Sequence, residues 1–125
     1  MAFLIDDVYD SGLSYISTNA NRLDICSTEP TTYTQATSTY TLGNKTSLSV
    51  GSPADHTPDG RKVVVAAITD GTVSGTGTAA YWAITKTSTS TLIATGSLTS
   101  SQAVSSGNTF TLDAINIAIR DATSV

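Results

Sequence analysis

The chain has 125 residues, a formal net charge of −4 and charged side chains at only 13% of positions. That length allows one domain with a modest core, and an acidic balance without a basic tract argues against nucleic-acid binding. Apolar residues make up 39% of the chain and fall in periodic runs, which argues against disorder, and no segment is long enough to span a membrane as a helix.

Met1 to Ile5 is apolar but lacks the basic start of a secretory signal, so the expectation is synthesis in the cytoplasm. Asp6 or Asp7 is placed to cap a helix, and Val8, Tyr9, Gly12, Leu13 and Ile16 follow helical spacing. TNAN, at 18–21, should end it. Asp6, Asp7 and Asp10 are explained by capping and solvation without a cation. A helix this short is marginal alone and must rest on a sheet or on another subunit.

Arg22 to Cys26 reads as a strand with Leu23 and Ile25 on one side. Cys26 is the sole cysteine, so no intrachain disulfide forms, and its setting predicts a buried rather than reactive thiol. Glu29-Pro30 breaks the strand, and Thr31 to Thr37 suits one helical turn with Tyr33 and Ala36 facing inward. Thr39 to Val50 alternates again, interrupted at Gly43-Asn44 by a bulge or tight turn. GSPADHTPDG, at 51–60, is a loop. It carries the only histidine, His56, beside Asp55, and reads as an exposed loop histidine.

RKVVVAAI, Arg61 to Ile68, reads as one strand, either buried on both faces or packed in a sandwich core, followed by a turn at Asp70-Gly71. The alternation of glycine and threonine in TVSGTGTAA leaves room for a neighbouring element and lacks the features of a phosphate loop. Ala79 to Leu98 reads as a hairpin around a polar Lys86 to Ser90 turn and contains the only tryptophan, Trp82. Ala80, Trp82 and Ile84 share one face of its first strand; Leu92, Ala94, Gly96 and Leu98 share one face of its second. Thr99 to Ser106 is expected to be a loop or extended crossover, and Gly107-Asn108 a turn. In the last strand, Thr109 to Ile119, Phe110 and Leu112 have one parity and Ile115, Ile117 and Ile119 the other. A bulge or bend at Asp113-Ala114 would turn both sets to the core. DATSV is expected to be a free or partner-held tail.

These elements predict a mainly β fold: a small antiparallel β-sandwich or barrel-like sheet of about seven strands with one short N-terminal helix. Residues 1–20 form the helix or arm and 21–125 the β domain. The expected core is Leu23, Ile25, Leu42, Val63, Val65, Trp82, Ile84, Leu92, Phe110, Leu112 and Ile117. Glu29 is the only glutamate, one histidine and one distant cysteine make no closed zinc site, and no nucleophile elbow or dinucleotide fingerprint occurs. The expectation is therefore no enzyme, no catalytic residues, no cofactor and no metal.

The segments RLDICSTEPTTYTQATSTYTLG, GRKVVVAAITDGTV, YWAITKTSTSTLIATGSL and AVSSGNTF resemble a set of small structural proteins encoded by tailed bacteriophages. The likeness runs from Arg22 to Ile119, with KTSTST standing where the resembled proteins often carry an acidic, glycine-rich turn. It implies a virion component assembled in the host cytoplasm, foremost a head decoration or cement protein bound to the major capsid protein. The implied partners are the major capsid protein or other virion proteins, in a symmetric multi-copy assembly or by self-association, with no nucleic acid and no membrane. A neck or tail protein (connector, tube or fibre-associated) is the second expectation. A carbohydrate-binding β module of a host-recognition assembly, using Tyr33, Tyr40 and Tyr81, is the third.

Overall fold

A computed structural model describes residues 4–120. The expected tail at 121–125 lies outside the described residues, as do residues 1–3. The fold is mainly β, with a curled six-stranded antiparallel sheet A, a three-stranded sheet B and one N-terminal helix.

The helix, α1, spans Asp6–Asn19 and stops where TNAN predicts. Its N-cap is Ile5, with no side-chain cap; Asp6 and Asp7 instead occupy the first turn, where they face the positive end of the helix dipole. Tyr9 and Leu13 are buried against the sheets, whereas Val8 and Gly12 are exposed, so the expected apolar face is split.

Sheet A is ordered β7-β6-β1-β2-β5-β8. Its strands are β1 (Arg22–Cys26), β2 (Thr41–Thr46), β5 (Ile68–Val73), β6 (Gly77–Lys86), β7 (Thr91–Val104) and β8 (Thr109–Leu112). Sheet B is ordered β3-β4-β9, from β3 (Ala54–Asp55), β4 (Arg61–Val65) and β9 (Ile115–Ile119). The expected single strand at 61–68 is in fact two: the chain leaves sheet B after Val65 and enters sheet A at Ile68. An unbroken apolar run carries no parity signal to mark such a crossing. The parity change at Asp113-Ala114 does mark one, and there the chain passes from β8 in sheet A to β9 in sheet B. The two crossings lie side by side. Val65 pairs with Ile115 in sheet B and Ile68 with Leu112 in sheet A, so one antiparallel register continues around the corner.

Two other expectations fail for related reasons. Asp70-Gly71 is not a turn but lies within β5, because Gly71 pairs with Phe110 and is covered by its ring. Residues 99–104 are not a loop but the far half of β7, rejoined to β6 beyond a register shift. Gly43 and Asn44 lie within β2, and the register shift between Ile25 and Cys26 places a bulge beside them.

The main core joins both sheets and α1. Leu23, Ile25, Val65, Ile68, Val73, Ile84, Phe110 and Leu112 are buried in it, with Leu42, Trp82 and Ile117 partly buried around it. Val63 is fully buried as well. Leu92 packs elsewhere: the register shift between Ile84 and Thr85 puts it opposite Thr85. It joins a second cluster of Cys26, Ala36 and Ala83 on the other face of sheet A. That face is roofed by the helical segment after Pro30, including a π-helical turn at Gln35–Thr39.

Candidate functional site

Much of the charge is paired within the fold. Asp24 is 0% exposed on β1, and its carboxylate accepts hydrogen bonds from Arg22 at 2.7 and 2.9 Å and from the Thr41 hydroxyl at 2.7 Å. The hydrogen bond from Arg22 to Asp24 raises the guanidinium pKa despite partial desolvation. Next to it, burial and then the Asp24 charge push the Cys26 thiol up to about 12, which leaves it un-ionised and unreactive at neutral pH. Arg61 on β4 donates to Asp10 of α1 at 2.8 and 3.1 Å and also to Asp55, tying the helix to sheet B. Asp55 is thus held by Arg61 and not by His56, whose Nδ1 lies 2.9 Å from the Asp59 carbonyl oxygen. Among the described residues no group of three or more His, Cys, Asp or Glu side chains could hold a metal ion. No helix there is long and apolar enough to cross a membrane.

Two features are not explained by folding alone. The first is an apolar stripe along α1 and the residues just before it. Among the described residues, Leu4, Ile5, Val8, Tyr15 and the strand residue Ile119 are the large apolar side chains left exposed, each by 36–52%. At 100° per residue, positions 8, 12 and 15 fall within about 60° on the helix, beside the buried Tyr9 and Leu13, and Leu4 and Ile5 directly precede its first turn. Gly12 joins the helical part to Ile119, since a Cβ there would lie 3.6 Å from the Ile119 Cδ1. The apolar arc of α1 is too wide for the sheets to cover. Helical spacing in the sequence exposes that width, but not which half is buried.

The second is a cavity of about 260 Å3 at the place where sheet A fails to close into a barrel. The sheet curls until its two edge strands, β7 and β8, approach each other. Between them the Gln102 side chain donates from Nε2 to the Thr111 carbonyl oxygen at 3.1 Å. On β7 the ladder to β6 is interrupted: Ser97 faces Tyr81 and Gln102 faces Ala79, so Leu98 to Ser101 stand opposite Ala80 alone. This bulge and the Asp113-Ala114 corner hold the seam open, and Trp82, Ser97, Gln102, Asp113 and Ile115 are among its walls. Trp82 is thus partly buried and not a full core residue. Its ring lies against Gly96, where a Cβ would be 2.6 Å from Cζ2. Sequence spacing could not assemble this cavity, because its walls come from four strands and a corner. The tyrosines considered for sugar contact lie elsewhere: Tyr40 and Tyr81 are partly buried against the Cys26 cluster, and Tyr33 is half-buried before the π-helical turn.

Comparison with known proteins returned no matching family model, no matching curated protein and no matching solved structure.

Proposed function

We propose that this chain is a structural component of a tailed-bacteriophage virion, a head decoration protein that docks on the major capsid protein lattice. The resemblance of its strand and turn segments motivates the reading. The exposed stripe of Leu4, Ile5, Val8, Tyr15 and Ile119 is the observation that carries it. At the observed exposures these side chains leave roughly 400 Å2 of apolar surface, within the range where a patch on a monomer is often functional. That is about half of what one partner contributes to a standard stable interface. A contact of that size is weak once, and becomes strong when a lattice repeats it and linked contacts raise the effective concentration. The scarcity of charge elsewhere also limits the desolvation cost of lying on a neighbour.

The test uses particles of the encoding phage that lack this protein, re-decorated with purified chain. The double variant Ile5→Asp, Val8→Asp alters two exposed positions and is expected to keep its melting temperature. It should bind the particles at least about tenfold more weakly, since each charge placed in an apolar contact costs more than 1.4 kcal/mol. Equal binding by the wild type and the variant would reject the stripe as the docking surface. Substitution is preferred to deleting residues 1–10, which would also remove the buried Tyr9 and the Asp10 partner of Arg61.

A further inference from the structure

We propose that the cavity at the open seam of sheet A binds a single neutral hexopyranose unit, with Trp82 as its aromatic wall. Four observations carry this. The volume, about 260 Å3, is below the ~300 Å3 at which drug-sized sites begin, so the cavity suits one six-membered ring. The lining pairs an indole with alcohol, amide and carboxylate side chains: Ser97, Thr99, Ser100, Gln102 and Asp113. Such a set offers a ring's C–H face an aromatic surface and its hydroxyls both donors and acceptors.

Charge narrows the ligand class further. No lysine or arginine lines the cavity and Asp113 does, which disfavours phosphates, nucleotides and acidic sugars. The last observation separates a small ligand from an inserted peptide strand. The Gln102–Thr111 bond crosses the seam where such a strand would run, and a typical strand needs about 17 Å of open edge. The bulge at Leu98 to Ser101 supplies the opening, as bulges beside binding sites commonly do.

Trp82 is the only tryptophan, so intrinsic emission reports on this one site. The experiment titrates the full chain with the methyl glycosides of glucose, galactose, mannose and N-acetylglucosamine. At least one should give a saturable change in emission, with a Kd on the order of 1 mM for so small a ligand. Asp113→Asn, at an exposed position, should weaken that binding about tenfold, a loss of about 1.4 kcal/mol, without changing the melting temperature. Gln102→Ala, which also removes the seam bond, should weaken it by at least as much. The proposal is overturned by an absence of saturable change with every glycoside, by changes that both variants leave intact, or by saturation with an extended peptide alone. Particle binding plays no part in this test, so this inference and the virion reading can fail separately.

Discussion

Gly71→Ala is a demanding test of the packing described above, because a generic rule predicts the opposite sign. Replacing a glycine by alanine where the backbone permits it ordinarily stabilises a protein by about 0.4–1 kcal/mol, by restricting the unfolded chain. At Gly71, however, the new Cβ would stand 2.3 Å from both Cε1 and Cζ of Phe110 and 2.6 Å from Cδ1. Ordinary carbon contacts are about 3.5–4.0 Å, so the ring must move by more than ~1 Å. Phe110 is 2% exposed within the main core and has no open side to move into. Overpacking of this kind costs about 1–3 kcal/mol, which for a chain of this size lowers the melting temperature by about 4–10 °C. Urea and thermal unfolding followed by circular dichroism would measure it. The same substitution in a Phe110→Leu background should lose most of its penalty, because the ring edge it meets is gone. A stabilised Gly71→Ala single variant, or an equal penalty in both backgrounds, would refute the pairing of ring and glycine.

Other consequences can be checked in the same apparatus. Asp24→Ala removes the carboxylate that accepts from Arg22 and Thr41 inside the sheet, and should cost about 3 kcal/mol in urea unfolding. Cys26 links stability to alkaline pH. The unfolded thiol ionises near 9 while the folded one is pushed up to about 12, so the unfolded state loses its proton first. This contribution is intact below pH ~9 and is lost as pH rises toward ~12, by about 1.4 kcal/mol per unit. Cys26→Ala should flatten that part of the pH profile, and a thiol reagent should label the wild type only as it unfolds.

The elements whose signals are local were legible in the sequence. TNAN ended α1 on cue, Leu23 and Ile25 of β1 share one face while Cys26 packs on the other, and the parity change in the last strand marked a real corner. What the sequence hid was tertiary. A run of valines and alanines looks the same whether it stays in one sheet or crosses to another. Gly71 looks like turn chemistry until Phe110, on a strand that follows it in the chain, is laid across it. Leu92 and Ala94 share a parity, yet a register shift sends Leu92 to the opposite face. The cavity was illegible for the same reason: Gln102 and Asp113 meet Trp82 only because the sheet curls and stops short of closing.

The central proposal, a lattice-wide role on a phage head, is tested most directly by counting. Quantitative mass spectrometry of purified particles of the encoding phage gives the copy number of this chain relative to the major capsid protein. About one copy per capsid subunit, or another large fixed fraction, is expected, as repeated weak contacts require. A few copies to a few dozen per particle would place the chain at the neck or tail and contradict the decoration role, and its absence from particles would reject the virion reading.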